Sequence, residues 1–172
     1  RGGTGAGKPP PANLVERGPP AAGVHTYVLD GDNVRHGLNQ DLGFAPEDRV
    51  ENVRRIAEVA RLFADAGLVV LVSVISPFRQ ERHAARALVK PGEFAEIYVK
   101  ASVEACERRD PKGLYRRARL GQIPHFTGIS SPYEAPEAPE LVIDTESSSA
   151  ESAALRIIEW MQERGIVRRG SL

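Results

Sequence analysis

Cysteine, methionine and tryptophan occur once each in this chain of 172 residues, and aromatic residues make up only 6%. The lone Cys106 excludes an internal disulfide, and the histidines at 25, 36, 83 and 125 lack the spacing of metal ligands, which removes a structural zinc site. No apolar run approaches the roughly 18 residues needed to span a bilayer, and no signal peptide is expected. Charge of either sign is not in excess: 23 Lys and Arg balance 23 Asp and Glu. That balance argues against general nucleic-acid or membrane binding, so functional basic residues must be locally clustered. What remains, 41% hydrophobic and 27% charged residues, is ordinary for one globular domain over residues 1–172 with a real core. The expected location is the cytoplasm. A start at Arg1 rather than methionine points to a fragment or an excised domain.

The stretch Tyr27-Val-Leu-Asp-Gly-Asp-Asn-Val-Arg-His-Gly-Leu38 organises the rest. Val28 and Leu29 suit a buried strand, Gly31 permits a tight turn, and Asp30, Asp32, Asn33 and Arg35 then emerge within one turn of a helix. In isolation, turn chemistry would account for Asp-Gly-Asp-Asn equally well. A helix is expected from about Pro46 to Ala66, with Pro46 at the first helical position, Glu47 and Asp48 at the positive end of the dipole and Gly67 as the stop. Val50, Val53, Ala57, Ala60 and Ala64 form its apolar stripe. Leu68 to Ile75 reads as a strand covered on both faces, ending at Ser76-Pro77-Phe78-Arg79, with a helix to about Val89. Further strands are expected at 94–99 and 141–143, a short helix at 103–108 and a terminal helix at 150–164.

Residues 2 to 8, Gly-Gly-Thr-Gly-Ala-Gly-Lys, fit the first seven positions of a Walker A loop, whose backbone N–H groups and lysine hold phosphate. The eighth position, where a Ser or Thr hydroxyl would hold Mg²⁺, is Pro9, and Pro10 and Pro11 follow. The apolar strand that should feed such a loop is absent, and a flexible Gly-rich terminus is the alternative reading. Alternating strands and helices imply a parallel, doubly wound α/β sheet. Lys8, Asp30 to Arg35 and Ser76 to Arg79 would then share one sheet edge. Asp110 to Arg119 is the densest basic cluster and leads into Gln122 to Ile129, a segment able to close over an anion.

From about Gly23 to Val167 the chain resembles the adenylylsulfate kinase (APS kinase) family. The motifs that carry the resemblance are Tyr27 to Leu38, Leu42-Gly-Phe44, Glu47-Asp-Arg-Val-Glu-Asn52, Ile75-Ser-Pro-Phe-Arg79, Asp110-Pro-Lys-Gly-Leu-Tyr115, Phe126-Thr-Gly-Ile129 and Tyr133-Glu-Ala-Pro-Glu-Ala-Pro139. The resemblance implies a three-layer P-loop kinase-like α/β fold, a parallel sheet with helices on both faces and a basic lid over 110–129. It implies sulfate assimilation chemistry: phosphoryl transfer from ATP, with Mg²⁺, to the 3′-hydroxyl of adenosine 5′-phosphosulfate. A homodimer, or a domain within a sulfurylase–kinase assembly, is the implied partner arrangement.

By that resemblance, Asp32, Asn33, Arg35, Arg49 and Asn52 lie near the phosphosulfate and ribose. Phe44 and Phe126 hold the adenine, and Ile75, Ser76, Lys112 and His125 complete the substrate set. Gly2, Gly5, Ala6, Gly7, Lys8, Asp30, Arg116 and Arg119 are the expected ATP-binding residues. Asp32, Ser76 and Lys8 are the catalytic candidates, Asp32 also through Mg²⁺. Alternatives stay open: a solvated helix charge for Arg49, a loop anchor for Phe126, a helix N-cap for Ser76 and a solvated basic helix for Lys112 to Arg119. Pro9 puts the ATP half in doubt, so the competing function is an impaired kinase-like module that binds the phosphosulfate nucleotide for regulation or assembly.

Overall fold

Alternate residues of Val69-Val-Leu-Val-Ser73 are apolar on both sides, and that pattern sets the layering. The computed structural model describes residues 11–17, 24–110 and 113–167. Strand β1 (Thr26–Asp30) pairs in parallel with β2 (Val69–Ser73), in register from Thr26↔Val69 to Asp30↔Ser73. Val69 and Leu71 enter one core with Leu141, Ile143, Ala153, Ala154, Ile157 and Trp160, whereas Val70 and Val74 enter a second with Leu29, Val34 and Ile56. A two-residue period feeding two cores is what a parallel sheet covered on both faces requires.

One layer is built by α1 (Pro11–Arg17) and α7 (Ala150–Glu163), and the other by α2 (Gly31–His36) and α3 (Pro46–Asp65). The short helix α1 is held by Val15, which is buried against the α7 layer, so packing stabilises a segment too short to be helical alone. Helix α3 starts at Pro46 with Glu47 and Asp48 in its first turn. Its entry is fixed by Asp48 Oδ2, which accepts the Gly43 N–H at 3.0 Å. Helix α4 (Arg79–Ala87) follows β2, and β3 (Ile97–Lys100) pairs in parallel with β4 (Leu141–Asp144). Between them lie α5 (Val103–Arg109), capped by Ser102, and α6 (Leu114–Arg119). The Ser-rich start of α7 supplies its cap, Ser149 Oγ accepting the Ser152 N–H at 3.1 Å.

The parallel α/β sheet expected from the sequence is present among the described residues as two ladders, β1–β2 and β3–β4, with helices on both faces. Val69 and Leu71 of β2 and Ile97 of β3 meet through the α1–α7 core rather than through main-chain hydrogen bonds. Among the described residues no helix is long and apolar enough to cross a membrane.

Candidate active site

Parallel pairing puts the carboxyl ends of β1 and β2 side by side, and both continue directly into polar turns. Asp30 leaves β1 in extended conformation and its Oδ1 accepts the Asp32 N–H at 2.8 Å, capping α2. Asp32 and Asn33 thereby occupy the first turn of α2, and Arg35 its last. Arg35 Nη1 donates to the carbonyls of Leu42 at 3.0 Å and Gly43 at 2.9 Å, and its guanidinium lies 4.4 Å from the centre of the Phe44 ring.

Arg49, one turn into α3, faces the same ring at 6.0 Å. Its Nε donates to the Phe44 carbonyl at 3.1 Å, Nη1 to Thr127 Oγ1 at 3.0 Å and Nη2 to the His125 carbonyl at 2.6 Å. Burial, then the neighbouring Arg35, push the Arg49 pKa below the usual arginine value, while Glu81 opposes them. Two guanidinium groups thus flank an aromatic ring that is 46% exposed. Such a pair can take a multiply charged anion beside a stacked planar group. The Phe44 ring faces arginines and solvent.

Asn52 is buried, and its Oδ1 accepts from Asn39 Nδ2 at 3.0 Å. Asn39 is fully buried. This bond commits the Asn52 oxygen to the scaffold and leaves Nδ2 as its donor.

The turn after β2 is braced from far along the chain. Ser76 has φ 42, in the left-handed region where a residue other than glycine is strained. Arg82 holds it, Nη1 donating to the Ser76 carbonyl and Nη2 to the Glu134 carbonyl, each at 2.7 Å. Glu134 N–H donates to the Pro77 carbonyl at 2.8 Å, and Glu134 Oε2 accepts the Arg79 N–H at 2.8 Å. Arg79 Nε reaches the Ala135 carbonyl at 2.8 Å, and Arg79 pairs with Glu137 at 3.1 Å. The capping reading of Ser76 is therefore corrected. Helix α4 begins at Arg79 after Phe78, which makes no side-chain cap, and Glu134 supplies that acceptor instead. The Tyr133 to Pro139 motif is a brace for the Ser76 turn.

Phe126 packs edge-on against Tyr115 of α6 at 4.9 Å, joining the substrate loop to the basic segment. His125 has φ 54 and presents its carbonyl to Arg49. Arg119 is paired with Glu107 at 2.7 Å, and Arg116 meets Asp110 through its backbone N–H at 3.0 Å. Of the expected ATP-binding set, Asp30 serves as a cap and Arg119 as an ion-pair partner within α5–α6. Gly2, Gly5, Ala6, Gly7, Lys8, Pro9 and Lys112 lie outside the described residues. Sequence reasoning missed Asn39, Glu81, Arg82 and Glu134. Only the Arg79-x-x-Arg82 spacing, one helical turn, hinted that two arginines share a face. A shallow depression of about 370 Å³ lined by Arg86, Phe94, Glu140 and Trp160 lies elsewhere, with Arg86 already paired to Glu140.

A model of the family described as adenylylsulphate kinase matches residues 1–144. An adenylyl-sulfate kinase of Acaryochloris marina is 57% identical over 165 residues, 96% of this chain and 80% of that protein. The bifunctional enzyme NodQ of Rhizobium sp. strain N33 is 58% identical, over 96% of this chain but only 26% of its own length. The solved APS kinase CysC of Mycobacterium tuberculosis, in complex with AMPPNP and APS, superposes with a TM-score of 0.80 at 46% identity, covering 88% of each chain. On the family model, the sequence identities and the shared fold together, this chain belongs to the adenylylsulphate kinase family.

Proposed function

We propose that the chain transfers the terminal phosphoryl group of ATP to the 3′-hydroxyl of adenosine 5′-phosphosulfate, giving 3′-phosphoadenosine 5′-phosphosulfate. The observation that carries this reading is the placement of Arg35 and Arg49 about the exposed Phe44 ring. Two forked guanidinium groups suit a phosphosulfate, whose two acid groups each carry a charge. Phe44 and Phe126 would hold the adenine by stacking, worth about 1–3 kcal/mol per base. Asn33 and the Nδ2 of Asn52 would bond the ribose and phosphosulfate, with Ile75 and His125 closing the sides. The relative solved with AMPPNP and APS supports a nucleoside triphosphate and the phosphosulfate nucleotide as the two substrates.

Direct in-line transfer needs positioning and charge stabilisation, with no covalent enzyme intermediate. Ser76 is accordingly a substrate-positioning residue, held in its strained turn by Arg82. Asp32 orients the 3′-hydroxyl and accepts its proton as the bond to phosphorus forms. Lys8 with Gly2, Gly5, Ala6 and Gly7 would cradle the ATP phosphates, and Lys112 and Arg116 would meet them from the lid. Asp32, at the head of α2, would hold Mg²⁺ together with substrate phosphates, and the ion would neutralise charge on the transferred phosphoryl group. We place the protein in the cytoplasm. The longer NodQ relative favours a domain that works within a sulfurylase–kinase assembly, with a homodimer as the other arrangement.

The test is a direct assay with ATP, Mg²⁺ and adenosine 5′-phosphosulfate, following formation of the 3′-phosphorylated product. Absence of turnover together with absence of binding of the phosphosulfate nucleotide would end this reading. Pro9 favours a second one, a module that holds the nucleotide without transferring phosphate. Calorimetry separates the two: adenosine 5′-phosphosulfate binding without Mg²⁺-dependent ATP binding supports the module.

A further inference from the structure

Asn39 is fully buried in the turn that leaves α2, where as a purely structural residue it is a poor choice. Its Oδ1 is buried without a hydrogen-bond partner among the described residues. A buried acceptor left unmet costs more than a neutral hydrogen bond returns, so an apolar side chain of the same size would hold this turn at least as well. The turn also has other fastenings. The Asn39 N–H donates to the Val34 carbonyl at 2.9 Å, and the Asn39 carbonyl accepts the Leu42 N–H at 3.2 Å. On either side of it, Arg55 of α3 donates to the Leu38 carbonyl at 3.2 Å and to the two carboxylate oxygens of Asp41 at 2.7 and 2.9 Å. Holding the backbone here does not need the Asn39 amide.

What that amide does is set the direction of another. Asn39 Nδ2 lies 3.4 Å from the Asn52 main-chain carbonyl oxygen and 3.0 Å from the Asn52 side-chain oxygen. A main-chain carbonyl only accepts, so the Asn39 atom that faces it has to be the nitrogen. The Asn52 side-chain atom that faces this nitrogen has to be an acceptor in turn, which is Oδ1. With its oxygen fixed towards the scaffold, the Asn52 amide turns Nδ2 the other way. A carbonyl of α3 thus decides, through Asn39, which end of Asn52 is left for a ligand.

We infer that Asn39 is a positioning residue that makes Asn52 a hydrogen-bond donor only towards the site, so that the place opposite it selects an acceptor oxygen of the nucleotide. The inference rests on the reading of Asn52 as a residue that bonds the phosphosulfate nucleotide. Every oxygen of an ionised phosphosulfate accepts and none donates, so an amide held with its nitrogen outward favours it, whereas a free amide offers either end. The last side-chain torsion of asparagine is broad and nearly two-fold. Without Asn39 the Asn52 amide turns about that bond and presents Oδ1 to the anion part of the time.

The experiment is calorimetric titration of the full chain with adenosine 5′-phosphosulfate for wild type, Asn39→Leu, Asn52→Ala and the double variant. Asn52→Ala should raise Kd roughly tenfold to a hundredfold, the worth of a hydrogen bond to a charged group. Asn39→Leu should raise it roughly three- to tenfold, because the donor is then presented only part of the time. The double variant should bind within about twofold of Asn52→Ala, since no amide remains to be oriented. A merely structural Asn39 would weaken binding by the same factor with or without the Asn52 amide, and that result overturns the inference, as does wild-type affinity in Asn39→Leu. If Asn39→Leu does not fold, NMR of the wild type decides. The Asn39 side-chain amide protons should exchange slowly with solvent whether or not nucleotide is bound, while those of Asn52, identified by their absence from the Asn52→Ala spectrum, should become protected only when it binds. The reverse pattern, or Asn52 protons indifferent to nucleotide, overturns the inference. Wild-type affinity in Asn52→Ala removes the reading of Asn52 and the inference with it, and no wild-type binding removes the proposed substrate itself.

Discussion

Replacing Arg82 with methionine is the perturbation that most directly tests how the Ser76 turn is held. Arg82 is 8% exposed, its pair with Glu96 at 2.5 Å joins side chains that are 9% and 12% exposed, and its other nitrogens hold two carbonyls at 2.7 Å. The Arg82–Glu96 contact lacks hydrogen-bond alignment, so its value is mainly coulombic. Methionine keeps much of the volume but leaves Glu96 with only the longer contact to Arg86 at 3.8 Å. Removing one member of a buried pair costs about 3–5 kcal/mol, chiefly because the other is left charged and desolvated. The two carbonyl bonds fall within that figure, since one side chain supplies all three contacts. Against a domain stability of about 5–15 kcal/mol this is a large fraction, and the melting temperature should fall by roughly 6–20 °C.

The assay is urea denaturation of wild type, Arg82→Met, Glu96→Leu and the double variant. The double variant should recover at least half of the loss, because it leaves no stranded charge. In those variants that remain folded at the assay temperature, KM for the phosphosulfate nucleotide should also rise as the Ser76 turn relaxes. A cost below about 1 kcal/mol for Arg82→Met, or a double variant as unstable as the sum of the singles, would refute the brace.

Arg49→Lys keeps the charge but loses the fork that spans Phe44, His125 and Thr127. Its KM for the phosphosulfate nucleotide should rise roughly tenfold to a hundredfold, and wild-type KM would show that charge alone suffices. The Arg86 guanidinium lowers Glu140 from the ordinary 4.5 to about 2. That contribution to stability is present above about pH 4.5 and lost as pH falls towards 2. Melting temperatures from pH 6 to 2 should therefore fall more steeply for wild type than for Glu140→Gln, and parallel curves would count against the pair. Pro9→Thr with Pro10→Thr restores two backbone donors and a hydroxyl where phosphate and Mg²⁺ need them. Turnover should rise at least about a hundredfold with little change in phosphosulfate affinity. If ATP still fails to bind in calorimetry, Lys8 loses its role as the phosphate-binding lysine.

Much of the chemistry was legible in the sequence because it is local. Pro46, Glu47 and Asp48 announced α3 within one turn of where it begins, and the alternation of Val69 to Val74 announced two covered faces. Asp30 next to Gly31 announced a turn into a helix, whereas Arg35, Phe44 and Arg49 were singled out for a nucleotide anion only through the resemblance to a family. What the tertiary structure decided is how those groups are held. Arg82 and Glu134 meet across 52 positions, and Arg49 and Thr127 across 78. The Ser76 turn draws its cap from Glu134, Asn52 is oriented by buried Asn39, and Arg119 is given to Glu107. Periodicity and capping act within a turn or two of backbone, whereas pairing of a buried donor with its acceptor depends on which distant segments packing brings within 3 Å, and no local pattern encodes that.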